Sequence, residues 1–257
     1  MGHSRGLWWL LIPVAMGACS DPEVPATVTA GAGAAGQSAV VGTAVGTRPS
    51  VTVTSDKGTP LPGVPVTFAV ASGGGQVTGG AAVSGQDGVA TVGEWILGNL
   101  VGPNTLTATV TTLAPVTFTA TGTPGPAATA EKIGDNQSAV VGAAVATAPG
   151  VTIKDPFGNR VPGVTVTFSV TAGGGTLTGA APVTNAQGEA RVGGWTLGTA
   201  VGANTLSAVT AGAPAVTITA QATAAPASQI AKNGGDGQSA VVNRAVGTAP
   251  SVVVRDQ

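Results

Sequence analysis

The chain has few of the residues that carry protein chemistry. Its 257 residues include one histidine, one cysteine and no tyrosine, and only 8% of them are charged. The histidine is His3 and the cysteine is Cys19, so both lie near the N-terminus. Beyond them the sequence excludes Ser-His-Asp and Cys-His catalytic arrangements and histidine-based metal sites.

Charge and hydropathy exclude further classes of protein. The formal net charge is -1, and no run of like charges occurs. A surface that binds nucleic acid requires clustered lysine and arginine, so we expect no nucleic-acid partner. The sequence contains no basic amphipathic helix and no second long apolar segment, so only its N-terminal end suggests a membrane.

What the chain does contain is a long repeat. The pentapeptide Gln-Ser-Ala-Val-Val occurs at residues 37–41, 137–141 and 238–242. A period of about 100 residues is too long for a solenoid or a propeller blade and fits a whole domain with its own core. We therefore predict two complete domains and an incomplete third, at residues 27–123, 127–223 and 227–257. Such an array favours reach and multivalent contact over a single catalytic cleft.

Each unit has the sequence pattern of β-strands. Apolar residues alternate with threonine and other small residues in several short runs, at 51–54, 64–70, 105–110 and 116–120, and the second unit keeps the same phase. This period of two is typical of strands with one buried and one solvated face. Short glycine-containing turns separate the runs, and no window shows a sustained helical period.

The pattern predicts an all-β protein of tandem immunoglobulin-like β-sandwich domains, arranged as beads on a string. About seven short strands in a hundred residues are typical of a two-sheet sandwich. No disulfide can stabilise these domains, so inward-facing valine, isoleucine, leucine and phenylalanine must hold them. We expect Phe68 and Phe168 to be the largest single contributors to the two cores.

Two motifs in each unit resemble a known family. Gly-Val-Pro-Val-Thr-Phe at 63–68 and Gln-Asp-Gly-Val-Ala at 86–90 return, with changes, at 163–168 and 186–190. They resemble the bacterial immunoglobulin-like group 1 repeats of invasin and intimin, and the resemblance covers nearly the whole chain after the N-terminal segment. It implies a hairpin arm and a turn at these positions. It also implies that the repeats form a stiff stalk that projects an adhesive tip.

The N-terminal segment is predicted to direct secretion and attachment. Arg5, the apolar run at 7–16 and the small residues before Cys19 are typical of a secretory signal peptide. The run is shorter than the ~20 apolar residues that span a bilayer. Met-Gly-Ala-Cys at 16–19 resembles the bacterial lipobox, whose cysteine becomes the lipidated first residue. We therefore predict a signal peptide at 1–18, lipidation of Cys19 and a tether at 19–26; the alternative is an ordinary secretory signal with a chance cysteine.

The third unit repeats only the opening of the others. It reaches Gln257 inside a predicted hairpin, and two strands alone cannot bury a core. We expect the native chain to continue past this point, and a frayed tail is the alternative. In the first case a terminal functional domain, such as a catalytic one, would lie beyond Gln257.

Carboxylates offer little chemistry in this sequence. No aspartate or glutamate is shared by the two complete units, so we predict no acid–base pair, no catalytic residue and no cofactor. Calcium, which takes six to eight oxygen ligands, is a possible ligand at the predicted domain junctions. The candidates are Asp135, Asn136, Asp155, Asn159 and Asp236. They are too few at each junction, and we predict turn residues that bond their own backbone.

Trp95 and Trp195 are the best candidates for a binding surface. Strict alternation from Glu189 and Arg191 places Trp195 on the solvent face, where an indole can stack on a sugar ring. The glycines that precede each tryptophan could instead form a bulge that turns the indole inward. We favour the inward interpretation and keep a low-ranked surface contact, with glycan as its ligand, as the alternative.

These observations together predict a non-enzymatic lipoprotein of the bacterial cell envelope. Lipid on Cys19 would anchor it in a membrane, most readily at the outer membrane or cell surface, and the repeats would act as a stalk or adhesion scaffold. Proline-containing linkers around 123–128 and 223–227 would limit bending. The expected partners are an extracellular protein or glycan. The alternatives are a carbohydrate-binding module and the N-terminal stalk of a longer secreted enzyme.

Overall fold

The structure is a computed structural model that describes residues 22–111 and 113–256. The predicted signal peptide and Cys19 therefore lie outside the described residues. Every strand or helix assigned within the described ranges is a β-strand, as the alternation of apolar residues predicts. In these same ranges no helix has the length and apolar character needed to cross a membrane.

Repeat 1 is a two-layer sandwich that begins at Pro25. Its strands are β1 (Pro25–Ala30), β2 (Gln37–Val40), β3 (Ser50–Ser55), β4 (Pro65–Ser72), β5 (Gln76–Thr78), β6 (Ala81–Val83), β7 (Val89–Thr91), β8 (Glu94–Ile96), β9 (Gly102–Thr109) and β10 (Val116–Thr123). One sheet has the order β2-β10-β9-β4-β6, another has the order β1-β3-β7, and β5 pairs with β8. Strand β2 runs parallel to β10, whereas the other named pairs are antiparallel.

Repeat 2 has the same architecture. Its strands are β11 (Thr129–Ile133), β12 (Gln137–Val140), β13 (Gly150–Lys154), β14 (Thr167–Ala172), β15 (Gly175–Thr178), β16 (Glu189–Arg191), β17 (Gly194–Leu197), β18 (Gly202–Thr210) and β19 (Ala213–Thr223). They form sheets β12-β19-β18-β14, β11-β13-β16 and β15-β17. The linkers predicted around 123–128 and 223–227 fall between β10 and β11 and between β19 and β20 (Gln229–Gly234).

The two repeats differ at the edge of the larger sheet. In repeat 1, β6 pairs with the start of β4, and Ala82 lies opposite Val66. In repeat 2 this pairing shrinks to a single bridge between Thr165 and Val183. Pro182 stands where repeat 1 has Ala82, and proline has no N–H to donate to a ladder. The strand expected at 164–170 therefore begins only at Thr167.

The core of each repeat lies between its sheets, and the predicted inward-facing residues occupy it. Val51, Val53 and Leu106 are fully buried in repeat 1, as are Val151, Ile153 and Leu206 in repeat 2. The prediction that phenylalanine dominates is wrong, because the largest fully buried side chains are Trp95 and Trp195. Phe68 is also buried, and its ring lies 6.4 Å from that of Phe118, centroid to centroid.

The predicted tether overlaps repeat 1. Strand β1 starts at Pro25, two residues before the expected domain boundary, because its residues pair with β3. Val24 accepts a hydrogen bond from the backbone N–H of Asp56 at 3.1 Å. The segment just before the sandwich is thus held against it.

Repeat 3 is a two-stranded antiparallel ribbon of β20 and β21 (Ser251–Arg255). The apolar side chains of Ile230, Val252 and Val254 are 72%, 58% and 59% exposed. The counterparts of the two valines in repeat 1, Val51 and Val53, are fully buried. This agrees with the expectation that two strands form no core.

Candidate functional site: the joint between repeats

Both tryptophans are buried, which overturns the alternative of an exposed sugar-stacking surface. Trp95 and Trp195 have no exposed surface at all. Ala190 and Val192 are buried, as expected for alternate residues of a strand that face the core. Strict alternation would bury residue 194 next, but the next buried residue is Trp195. The alternation slips by one position at Gly193, where the chain leaves β13 and starts to pair with β15. The indoles therefore turn into the core where the chain passes from one sheet to another, at the glycines for which the sequence suggested a bulge.

The indole N–H groups of these residues are unusual. Neither Nε1 atom has a hydrogen-bond partner among the residues that the structure describes. An unpaired buried donor costs about 1–3 kcal/mol, so the indoles must be retained for the apolar area that they bury. We infer that the two tryptophans contribute packing rather than polar recognition.

The glycine triplets form the turns that the sequence predicts. Gly73, Gly74 and Gly75, with their counterparts in repeat 2, all have left-handed φ values from 72° to 93°. Beside them, Asn104 accepts a hydrogen bond from the N–H of Gly98 at 3.1 Å. Asn204 makes the same contact with Gly198. Sequence reasoning missed this role, although Asn-Thr-Leu recurs in both units and gave a usable signal.

The glutamine of the repeated pentapeptide closes a loop. Gln37 donates through Nε2 to the carbonyl oxygen of Thr47 at 2.8 Å and accepts from the Thr47 N–H at 2.7 Å. Gln137 and Gln238 bond Thr147 and Thr248 in the same way. The contact is therefore local, since it forms in repeat 3 without a complete core. The recurring glutamine thus has the same structural role in all three repeats.

A hairpin of repeat 2 is hydrogen bonded to the end of repeat 1. It joins the end of β13 to Asn159 and contains Asp155, which is 2% exposed. Asp155 accepts hydrogen bonds from the N–H of Phe157 at 2.9 Å and of Asn159 at 2.8 Å, as expected for a turn residue. It also accepts from the N–H of Gly125 in the linker at 2.9 Å. We call the hairpin of residues 155–159 the docking hairpin.

Asn159 makes the contacts that cross the joint. Its Nδ2 donates to the carbonyl oxygen of Asn99 at 2.8 Å, and its Oδ1 accepts from the N–H of Val101 at 3.2 Å. Its Nδ2 also lies 2.9 Å from Asp155 Oδ2. The carboxamide thus satisfies polar groups of both repeats at once.

Phe157 adds an apolar contact to the joint. Its ring lies against Gly42 so closely that a Cβ atom built on that glycine would fall 3.0 Å from the ring. Phe157 remains 46% exposed, so it covers the end of repeat 1 without being buried by it. Together with Asn159, the ring fixes how repeat 2 meets repeat 1.

Hydrogen bonding keeps Asp155 ionised in this buried position. Burial alone would raise the pKa of its carboxyl. The hydrogen bonds from the Asn159 side chain and from the N–H groups of Gly125, Asn159 and Phe157 outweigh burial and lower the pKa below its ordinary value. The joint therefore contains a fixed negative charge held by neutral donors.

The joint between repeats 2 and 3 begins in the same way. Asp256 is the counterpart of Asp155, and its Oδ2 accepts from the N–H of Ala225 at 3.0 Å. Ala225 stands in the linker where Gly125 stands in the first joint. The sequence comparison missed this pair, because repeat 1 has Ser55 at the same position.

The free end of repeat 1 carries different residues. Ser55 and Thr59 replace the Asp155–Asn159 pair, and their hydroxyl groups lie 2.8 Å apart. Thr59 donates to Glu23 Oε2 at 2.6 Å. In repeat 2 the pair contacts repeat 1, whereas in repeat 1 the hydroxyl groups contact each other and Glu23.

Asp135 is hydrogen bonded within repeat 2. Burial favours a higher pKa, but donors from Thr219 and Lys132 lower the pKa of Asp135 to about 2. The Thr219 N–H lies 2.7 Å from Oδ1, and Lys132 Nζ lies 3.0 Å from Oδ2. Among residues 22–111 and 113–256 no group of three or more histidine, cysteine, aspartate or glutamate side chains could hold a metal ion.

Comparisons with known proteins support the fold. No protein-family model matches this chain. It is 31% identical over 182 residues to the inverse autotransporter adhesin YeeJ of Escherichia coli strain K12, a match that covers 69% of this chain. The chain spans 8% of the length of that relative.

Solved structures also resemble this array of domains. The Escherichia coli adhesin FdeC matches 92% of this chain and 75% of its own with a TM-score of 0.58 and 18% identity. InvD of Yersinia pseudotuberculosis matches 83% of this chain and 64% of its own with a TM-score of 0.48 and 18% identity. The match to FdeC confirms, for the fold, the resemblance predicted from the sequence: the chain is an array of immunoglobulin-like sandwiches of the kind found in FdeC.

Proposed function

We propose that the chain is a non-enzymatic spacer of the bacterial cell envelope that holds adhesive contacts away from the membrane. The observation that carries this proposal is the docked joint between repeats 1 and 2. Asp155 is hydrogen bonded to the linker, and Asn159 is hydrogen bonded to the end of repeat 1. The two sandwiches are therefore held together by more than a flexible linker. The names of YeeJ and FdeC as adhesins support the same role.

The physical basis is resistance to bending. A joint that depends only on a linker lets two domains move freely, whereas buried hydrogen bonds across it fix their orientation. Proline at positions 124 and 126 stiffens the connecting segment as well. A stiff array projects its far end over a greater distance than a flexible array of equal length, which suits contact with an extracellular protein or glycan.

The proposed anchor is lipid on Cys19. Several acyl chains on one cysteine would anchor stably, because each buried CH₂ group contributes about 0.8 kcal/mol and one chain alone is marginal. The short distance in sequence from Cys19 to Pro25 would place repeat 1 next to the membrane. We propose the outer membrane or the cell surface as its location.

Metabolic labelling tests the anchor. Bacteria that express the full chain are grown with an alkyne fatty acid, and we expect the label on the wild-type chain and in the membrane fraction. Cys19→Ala should remove both the label and the membrane association, while Ser20→Ala should retain them. An unlabelled wild-type chain that is released in soluble form would overturn the lipid anchor and favour an ordinary secretory signal.

Exposure at the cell surface, which the role as a spacer requires, is tested separately on cells. Protease added outside intact cells should cleave a site inserted at residues 224–228 if the repeats are exposed there. Cleavage only after the outer membrane is opened would contradict exposure at the cell surface. The result does not depend on how the chain is anchored.

A further inference from the structure

The far end of repeat 2 carries the counterparts of the residues that receive the docking hairpin on repeat 1. On repeat 1 that surface consists of Gly42, Asn99, Val101 and Gly125. Its counterparts on repeat 2 are Gly142, Thr199, Val201 and Ala225. Both sets contribute backbone groups or bare Cα atoms, so the change of side chain at two positions leaves the contacts possible.

On repeat 2 this surface is largely uncovered. A Cβ atom built on Gly142 would meet nothing within 4 Å, whereas one on Gly42 would touch Phe157. Val201 is 61% exposed. Among the residues that the structure describes, none donates to the carbonyl oxygen of Thr199 and none accepts from the N–H of Val201. In the first joint, Asn159 satisfies the corresponding pair.

One contact of the docked state is already present. Asp256 bonds the Ala225 N–H with the geometry that Asp155 has with Gly125, at 3.0 Å against 2.9 Å. An open groove of about 460 Å³ lies beside it and is lined in part by Val201, Ala225 and Asp256. In the first joint the side chain of Asn159 fills the corresponding position, between Asp155 and Val101.

We propose that this surface binds a hairpin that begins at Asp256 in a longer form of repeat 3, with an aromatic residue two positions after Asp256 and an asparagine four positions after it. The aromatic ring would cover Gly142 as Phe157 covers Gly42. The asparagine would donate to Thr199 and accept from Val201. Both requirements come from the joint that the structure shows between repeats 1 and 2.

The hairpin of a second copy of this chain is a poor occupant. Its docking hairpin is already bound within its own first joint. The hairpin at the start of repeat 1 carries Lys57 and Thr59 in place of the aromatic residue and the asparagine. The inference therefore extends the proposed spacer role by one repeat and concerns docking alone, independently of any lipid on Cys19.

An extended chain tests the proposal. A copy of residues 156–223 is joined directly after Asp256, which supplies the missing part of repeat 3 from the chain's own repeat 2. Amide hydrogen exchange is then measured by NMR at Val201, with Val101 as the internal reference. We expect exchange at Val201 to slow by about tenfold or more on docking, towards the rate at Val101.

The matched control is the same extended chain with alanine in place of the phenylalanine and the asparagine of the added hairpin. It should fold but leave Val201 exchanging as in the original chain. Slow exchange in the added strands together with unchanged exchange at Val201 would overturn the proposal. Equal protection of Val201 in the control would overturn it too, because the two side chains would then be irrelevant.

If the added segment does not fold, a second measurement tests the proposal. A head-to-tail cyclised peptide with the sequence of residues 153–161 is titrated to millimolar concentration into the Asp256→Ala variant of the original chain, in which the Ala225 N–H can donate to the aspartate of the peptide instead. Saturable shifts of the Gly142 and Val201 amides, lost when the phenylalanine and asparagine of the peptide are alanine, would support the proposal. The absence of such shifts, or shifts that appear on concentrating the chain alone, would overturn it, the latter in favour of a second copy as the occupant.

Discussion

The side chain of Asn159 donates a hydrogen bond to the carbonyl oxygen of Asn99 at 2.8 Å and thereby joins two separate sandwiches. The same carboxamide accepts from the Val101 N–H. Asn159 is only 8% exposed, so water competes weakly for these contacts. The orientation of repeat 2 thus depends on one small side chain as well as on the linker.

Asn159→Ala should loosen the joint while both sandwiches stay folded. It leaves Asn99 and Val101 without their partners, and such a loss typically costs about 1–3 kcal/mol. We expect NMR relaxation to show that the two repeats tumble more independently, with faster amide exchange at Val101. Thr59→Ala is the matched control, because it removes the corresponding side chain of repeat 1, which contacts Glu23 and not the joint.

Comparison with Thr59→Ala shows whether the loosening is specific to the joint. Thr59→Ala should leave the tumbling of the two repeats as in the wild type. If Asn159→Ala also leaves it unchanged, the hydrogen bonds of the joint do not fix its geometry. The linker alone would then account for the arrangement.

The joint should weaken in acid. The pKa of Asp155 is lower in the folded state than its ordinary value of 3.8, so its carboxylate contributes stability that is fully present above about pH 5. That contribution is lost as the pH falls through the folded-state pKa. Carbon-13 NMR of the Asp155 carboxyl, recorded with the amide exchange of Val101, should show both changes over the same acidic range.

Asp155→Ser supplies the comparison for acid loosening. Serine is the residue that repeat 1 has at this position, as Ser55, and it does not titrate in this range. The variant should have a looser joint at neutral pH and little further loosening in acid. Equal acid dependence in the variant and the wild type would assign the effect to another group.

Asp135 should make repeat 2 more stable above pH 4 than below pH 2. Its folded pKa of about 2 lies below the ordinary value of 3.8, so the stabilisation is lost as the pH falls between these values. We expect Asp135→Ala to cost about 1–2 kcal/mol near neutral pH, after an allowance for its partial exposure, and only a small part of that at about pH 2. Urea unfolding at several pH values measures this difference.

The control for Asp135 is a more exposed ion pair. Glu131 lies 2.6 Å from Lys154, and its side chain is 59% exposed. Surface pairs of this kind contribute about 0–1 kcal/mol, so Glu131→Ala should change stability little at any pH. A loss at Asp135 that does not depend on pH would contradict the assignment to its carboxylate.

The fold was predictable because its signal is periodic and repeated. Val51 and Val53 alternate with threonine, and the second unit repeats this alternation. The sequence therefore predicted which residues of the strands face the core in both repeats. The position of Trp195 was harder to predict. A shift of one residue at Gly193 moves the following side chains to the opposite face of the strand, and the run after it is too short to show a period of two.

The joint was harder still to predict from the sequence. Asp155 and Asn159 bond their own turn, as predicted, but the partners that matter lie 30 to 60 residues away, at Gly125 and Asn99. No local pattern encodes such a contact. The recurrence of aspartate at Asp256 was a signal, but it appears only when the third unit is compared with the second rather than with the first.

Trp195→Ala should be among the most damaging single changes in repeat 2. It removes a fully buried indole, and large-to-small changes of this kind cost about 3–5 kcal/mol. Trp195→Phe should cost less, because it keeps an aromatic ring and removes an N–H that has no partner in the described residues. Calorimetry of both variants gives the order, and a smaller loss for alanine than for phenylalanine would refute it.

Fluorescence gives an independent test of the same burial. A chain that begins at Cys19 keeps only Trp95 and Trp195 of its four tryptophans. Acrylamide should quench their emission weakly in the folded chain and strongly in urea. Strong quenching under native conditions would restore the surface interpretation of these residues.

Gly98→Ala should disrupt the end of repeat 1 that the docking hairpin contacts. A Cβ atom on Gly98 would lie 1.9 Å from the carbonyl oxygen of Gly73, so the backbone of the glycine triplet must move. This should destabilise repeat 1 by about 2 kcal/mol or more. Asn104 would also lose its contact with the Gly98 N–H. The nearby segment that contains Val101 would then be held less firmly, so amide exchange at Val101 should become faster. Gly46→Ala is the matched control, since a Cβ atom at that position would meet nothing within 4 Å. If both alanines are equally tolerated, close approach of the backbone does not explain the glycine at position 98.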